Sequence, residues 1–410
     1  MTTEGSGSAL RVVIAGGGVA GLEALFALRD LAGNGVDVTL VAPQAHFHYR
    51  PLAVAEPFSL ARPKQTPLAD AVRDAGATLV AAAVEAVDPG ARTVRTSAGT
   101  LAYDALVLAL GARSVPAYER ALNWDDRSDP EAIGGLLADI EAGYTRRLAV
   151  VVPPGPGWPL PAYELALLIA HEAQGMGMEL ETTLVTPEEA PLQAFGPHAV
   201  EAVSDELAEA GITLETGADA EIAPGHPTTV VLRPEGGRIE VDRVVALPRL
   251  EGRQVEGIPA DADGFVAVDE HCRVTGLDRV WAAGDGIDFA IKQGGLAAQQ
   301  ADAAAEEIAR LAGAAVDPQP FRPVLRGRLL TGLGRRDRWM RYEGDGEHDE
   351  GEVAPRALWW PPGKIGGRYL APWLAEREEA PAGESPHQGG MTVQTDLHHE
   401  LPAREGDAES

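Results

Sequence analysis

Short unbroken apolar runs alternate with stretches of helical period along most of this chain. Arg11-Val12-Val13-Ile14-Ala15 leads directly into Gly16-Gly17-Gly18-Val19-Ala20-Gly21. A helical pattern over about 19–32 follows, and then a second run, Val36-Asp37-Val38-Thr39-Leu40-Val41. Apolar runs bounded by turn residues read as buried strands, and this order reads as one β-α-β unit of about 30 residues. Segments 79–88 and 92–96 flank Asp88-Pro89-Gly90, which predicts a hairpin. From Tyr103 to Gly111 the chain is almost wholly apolar, the pattern of a parallel strand covered on both faces. A second β-α-β unit is predicted from a strand over Arg147–Val152, a helix over Ala162–Gln174 and a strand over Glu181–Thr186. A further hairpin turn, Pro234-Glu235-Gly236-Gly237, precedes Val244-Val245-Ala246-Leu247, which is expected to return to the first domain.

The alternation predicts an α/β fold with two Rossmann-like, three-layer dinucleotide-binding domains, the second inserted in the first. The expected boundaries are 10–115 with 243–320 for the first domain and 116–242 for the second. A small C-terminal region covers 321–375. An acidic tail, 376–410, carries no periodic apolar pattern and is expected to be disordered.

Composition narrows the function. The 410 residues allow two or three domains of roughly 100–200 residues each. A net charge of −28 excludes nucleic acid as the expected partner, because phosphate binding needs clustered Lys and Arg. The single cysteine, Cys272, excludes an intrachain disulfide or a cysteine-rich metal site, and no metal is expected. The opening MTTEGSGSA lacks the basic-then-apolar order of a signal peptide, and no run approaches the ~18 apolar residues of a membrane span. The expected location is cytoplasmic, extended by peripheral contact at the inner face of a membrane. Seven arginines (Arg322, Arg326, Arg328, Arg335, Arg336, Arg338 and Arg341) lie near Trp359-Trp360 in the C-terminal region, and interfacial Trp with Arg suits such contact. A β-hairpin platform or dimer surface is the plainer account of the same residues.

The glycine run has a specific chemistry. Gly16 allows the tight turn after the strand, Gly18 lets backbone approach a pyrophosphate, and Gly21 lets the helix pack close to the sheet. The usual ribose-binding acid after the second strand is missing; Ala42 or Pro43 stands there. A second mark, Thr275-Gly276-Leu277-Asp278-Arg279-Val280-Trp281-Ala282-Ala283-Gly284-Asp285, reads as a strand carrying a carboxylate to the ribityl end of the same ligand. Together the two marks point to FAD. Ile291-Lys292-Gln293-Gly294-Gly295-Leu296 then opens an Ala-rich helix, whose N-terminus and Lys292 suit the negative charge of a reduced flavin. Lys292 is the candidate catalytic residue.

These motifs, in this order, resemble the pyridine nucleotide–disulfide oxidoreductase superfamily, and within it the branch of type II NADH dehydrogenases and sulfide:quinone oxidoreductases. Phe47-His48-Tyr49-Arg50-Pro51-Leu52 and Tyr103–Gly111 support the resemblance. It implies that Arg50 and Pro51 pass near the isoalloxazine ring, that Gln299 and Gln300 lie near a quinone pocket, and that Lys292 matches a lysine of the sulfide branch. The expected flavin contacts are Gly16, Gly18, Val19, Ala20, Gly21, Ala42, Arg50, Pro51, Val84, Ala109, Gly111, Gly284, Asp285, Lys292, Gly295 and Leu296.

Two departures bear on activity. Cys272 is the only thiol and is expected to be a small buried apolar residue, so neither a redox-active cysteine pair nor cysteine-borne sulfur transfer is expected. The second dinucleotide loop runs Val152-Pro153-Pro154-Gly155-Pro156-Gly157-Trp158-Pro159-Leu160-Pro161-Ala162-Tyr163-Glu164, with Gly157, Pro159 and Ala162 at the three glycine places. Proline gives no N–H to a phosphate, and its ring fills the approach. Glu188 or Glu189 remains to hold a ribose. The expectation is an FAD-dependent oxidoreductase that takes electrons from a small-molecule donor, NAD(P)H being the candidate, and passes them to a quinone-like acceptor. A non-catalytic FAD-binding redox sensor or interaction protein is the alternative.

Overall fold

The computed structural model describes residues 9–127, 130–332, 337–344 and 349–379. Five parallel strands form the first sheet, in the order Val280–Ala282, Ala105–Leu108, Leu10–Ala15, Val36–Val41, Thr78–Val80. Their apolar runs are buried because helices cover the sheet. The helix Val19–Ala32 buries Leu22, Ala24, Leu25 and Leu28. It packs against the helix Gly294–Leu311, whose alanines let the two axes approach closely.

The second sheet is also parallel: Leu122–Asn123, Arg243–Ala246, Arg147–Val151, Glu181–Val185, Ile212–Glu215. The helix Leu160–Gly175 lies in its core cluster. The strand Arg243–Ala246 therefore corrects the expectation that Val244–Leu247 returns to the first domain. It pairs with Leu148–Val151, because its apolar Val244–Ala246 fits a central parallel position there. The chain crosses back through Arg249–Gly252, antiparallel to Ala112–Val115. It rejoins the first sheet only at Val280–Ala282.

Both predicted hairpins form. Val84–Asp88 pairs with Thr93–Thr96, and Thr228–Arg233 pairs with Arg238–Val241. Each belongs to a three-stranded antiparallel sheet. A third such sheet, Val324–Leu329, Arg338–Gly344 and Asp349–Ala354, makes up the C-terminal platform. Arg335 and Arg336 lie outside the described residues.

The chain divides into two units, the first ending at Pro372 and the second beginning at Trp373. A helix, Leu370–Glu379, continues past residue 376, which corrects the expectation that 376–379 are unstructured. In the second unit the Arg377 guanidinium lies 3.7 Å from the Trp373 ring centroid. The rest of the expected tail lies outside the described residues.

Candidate flavin site and adjoining cavity

The glycine turn is dictated by backbone contacts. Gly16 has φ +121°, and a Cβ there would sit 2.1 Å from the Ala109 carbonyl oxygen. A Cβ on Gly21 would sit 1.9 Å from the Gly16 carbonyl oxygen, so only glycine lets the helix seat on the turn. Gly18 differs: a Cβ there would meet nothing within 4 Å. It is the N-cap of Val19–Ala32, with no side-chain cap and no acid in the first turn. Helix N–H groups are thereby left for an anion.

This turn lines a cavity of about 850 Å³, within the ~300–1,000 Å³ range of ligand pockets. Of the expected flavin contacts, Gly16, Gly18, Val19, Ala20, Arg50, Pro51, Val84, Ala109, Gly111, Gly284, Asp285 and Lys292 line it. The other four do not. Gly21 supports the turn from beneath, as its predicted packing role requires. Ala42 is fully buried, in the layer beneath Gly17, and Pro43 and Gln44 take its place on the wall. Gly295 and Leu296 face inward, while Gly294 and Ala297 meet the cavity. The cause is the helix start: the Gln293 side chain caps the helix, accepting from the Leu296 N–H at 2.9 Å. That N–H is not free for a ligand.

Lys292 is buried, 5% exposed, donates to the Ile287 carbonyl, and lies 3.8 Å from the Phe265 ring centroid. Burial lowers its pKa to about 8, opposed by Asp285 and then Asp288. Burial also pushes the Asp285 carboxyl up, opposed by Lys292. Arg50 makes a 3.5 Å ion pair with Asp126 on the same wall.

Neither glutamine of the long helix lines the cavity. Gln299 donates to Gly295 and Val324 carbonyls and accepts from the Val324 N–H, each at 2.9 Å. Gln300 is buried and accepts from the Gly284 N–H at 2.8 Å. Both act as braces. Cys272 is buried at φ +60°, with its thiol raised to about 12 by burial, which makes it inert as a nucleophile.

The proline-rich second loop is pinned to the segment that carries Lys292. Gly157 donates to the Ala290 carbonyl and accepts from the Lys292 N–H, both at 3.0 Å. Pro159 is the N-cap of Leu160–Gly175 and offers no side-chain cap. Glu188 lines the cavity, accepts from Tyr163 Oη at 2.8 Å and Thr186 Oγ1 at 3.0 Å, and is raised by burial. Glu189 is exposed.

One pair escaped the sequence reading altogether. Lys364 Nζ lies 2.5 and 2.7 Å from the two carboxylate oxygens of Glu164, which also accepts from the Leu330 N–H at 2.9 Å. Both residues line the cavity, at 8% and 0% exposure. Burial pushes Glu164 up and Lys364 down, each opposed by the charge of the other. Two hundred residues separate them, and no motif links them.

The sequence profile of the pyridine nucleotide-disulphide oxidoreductases matches residues 10–306. An NADH dehydrogenase-like protein of Mycobacterium tuberculosis is 31% identical over 298 residues, 67% of this chain and 72% of that protein. A sulfide-quinone reductase of Aquifex aeolicus is 28% identical over 188 residues, 44% of each chain. The crystal structure of the Aquifex aeolicus sulfide:quinone oxidoreductase superposes with a TM-score of 0.74 at 20% identity, covering 85% of this chain and 87% of that one.

Proposed function

Because the chain belongs to the pyridine nucleotide–disulphide oxidoreductase family, we propose that it is an FAD-dependent oxidoreductase passing electrons from a small-molecule donor to a quinone-like acceptor, without a redox-active cysteine pair. NAD(P)H is the candidate donor. The observation that carries the reading is continuity: one cavity joins the glycine turn to Asp285 and Lys292 and reaches the Glu164–Lys364 wall. The names of the relatives, one NADH dehydrogenase-like and one acting with sulfide and quinone, support it.

The site fits FAD. Gly16, Gly18 and the uncapped N-terminus of Val19–Ala32 would hold the pyrophosphate, Asp285 the ribityl hydroxyls, and Arg50 and Pro51 the ring. Bound there, FAD supplies reversible two-electron chemistry. Lys292, held beside that end in a buried setting, places a cation where negative charge develops and favours it. Glu164 and Lys364 hold a proton at the cavity wall, where a reduced acceptor needs one. Glu188 stands ready for a donor ribose. The reading includes peripheral membrane contact, supported by exposed Trp360 (74%) and Leu60 (55%). Flotation with anionic vesicles at low and high salt tests that part.

The main test is anaerobic. Flavin absorbance of the purified protein is followed on adding NADH, then NADPH, and then naphthoquinone. Bleaching by either nucleotide and recovery with the quinone is the expected result. A flavin that bleaches only with dithionite and ignores the quinone would favour the non-catalytic sensor, a reading supported by the pinned, proline-rich loop.

A further inference from the structure

On the strand Val324–Leu329, Leu325 and Leu329 enter the core while Arg326 and Arg328 meet the cavity. The cations of this wall are not equivalent. Lys364 has Glu164. Arg328 has Asp337 at 2.7 Å and lies over the Trp339 ring. Arg326 is half-buried, yet among the described residues no group accepts a hydrogen bond from its guanidinium and no carboxylate forms an ion pair with it.

Its surroundings sharpen the imbalance. Directly across the strand pair stands Arg341, itself paired with Glu343. Like charges opposite each other destabilise an antiparallel pair. Burial, and then Arg341, work against the Arg326 charge, and the Glu343 carboxylate, already paired with Arg341, offsets only part of that. The position is nonetheless fixed. Gln293 Nε2 holds the Arg326 carbonyl at 2.9 Å, and Gly366 leaves room for the stem, since a Cβ there would sit 3.0 Å from Arg326 Cδ. Among the described residues, Lys364, Arg328, Arg341 and Arg326 thus face three carboxylates, Glu164, Asp337 and Glu343, each already paired with one of the first three, in a protein of net charge −28. A desolvated guanidinium without a partner is costly, and a ligand anion removes that cost.

We propose that the acceptor is an anionic small molecule, a quinone-like ring bearing a carboxylate or an equivalent fixed negative group, and that Arg326 binds this group. The proposal rests on the functional reading above for the nature of the ring, but on the wall alone for the charge.

The test compares naphthoquinone with its sulfonated derivative on FAD-loaded protein, as wild type, Arg326→Gln and Arg326→Lys. Reduction by dithionite first removes any dependence on the natural donor, and reoxidation of the flavin is timed in a single turnover. In parallel, the sulfonate is titrated into oxidised protein and followed by the flavin spectrum. Wild type should favour the sulfonate, and Arg326→Gln should lower the sulfonate-to-neutral rate ratio and the sulfonate affinity by about 10- to 100-fold. Arg326→Lys should recover part of both, and added salt should narrow the wild-type preference. An unchanged ratio and affinity in Arg326→Gln would overturn the proposal. So would loss of bound FAD in that variant, which would assign the guanidinium to the flavin. If wild type reacts with neither quinone, the functional reading fails, while the titration still decides the role of Arg326.

Discussion

The chain builds the same β-α-β unit twice and treats the two helix starts in opposite ways. At the first, Gly18 leaves the N-terminus of Val19–Ala32 open to the cavity. At the second, prolines replace the donors, Gly157 is bonded to Ala290 and Lys292, and Glu164 on the first turns of the helix is neutralised by Lys364. The buried charges differ as well. On the helix of the first β-α-β unit, Glu23 accepts from the Tyr369 and Leu370 N–H groups, and its negative charge acts on a second carboxyl, Asp302. In the second unit the carboxylate has a lysine. A shared architecture therefore fixes where a helix begins, and a handful of residues decides whether its first N–H groups are left open or covered.

Gly16→Ala should break the first unit most severely. The new Cβ meets the Ala109 carbonyl at 2.1 Å in a left-handed conformation, a loss of about 4 kcal/mol or more. Flavin content and thermal unfolding should both show it; a variant that keeps stoichiometric FAD would sink the assignment of the turn. Lys364→Met leaves Glu164 buried and unpaired, at about 3–4 kcal/mol, and the double variant with Glu164→Leu should regain most of that stability. Denaturant unfolding of the three proteins decides the point.

Asp302→Asn probes the like-charged pair. Burial lifts the Asp302 carboxyl to about 8, so the folded chain retains a proton that the unfolded chain releases near pH ~4. The folded state binds more protons between those values, and stability falls as pH rises from about 4 to about 8. The asparagine variant should flatten that slope, gaining about 2 kcal/mol at its upper end, as read from melting temperature against pH. Pro159→Gly should have the smallest effect, restoring one donor in the second loop and tightening NADH by about tenfold. A titration that shows no gain would mean that the Gly157 contacts, not the missing donor, set the affinity.

What could be read from the sequence was local. The glycine turn, its strand and its helix lie within about 30 residues and obey short-range rules, so the turn and the close backbone packing at Gly16 and Gly21 were identifiable. The run Tyr103–Gly111 gave a buried parallel strand for the same reason. Val244–Ala246 was legible as a strand but not as a member of the second sheet, because an apolar run names no neighbour. Gly295 and Leu296 were placed one helical step off, since the Gln293 cap that sets the phase is a side-chain choice. Glu164 and Lys364 were invisible because only folding brings them together. Gln299 and Gln300 were legible as residues of interest, yet their amides serve backbone groups that no local pattern reveals.

The short bridge between Gly157 and Ile291 carries a practical consequence. It makes the proline-rich loop of the second β-α-β unit continuous, through backbone bonds, with the segment that presents Lys292 to the same cavity. A substitution that moves Gly157 is therefore expected to move Lys292 as well, through the bond from the Lys292 N–H to the Gly157 carbonyl. The loop and the lysine are one mechanical element rather than two.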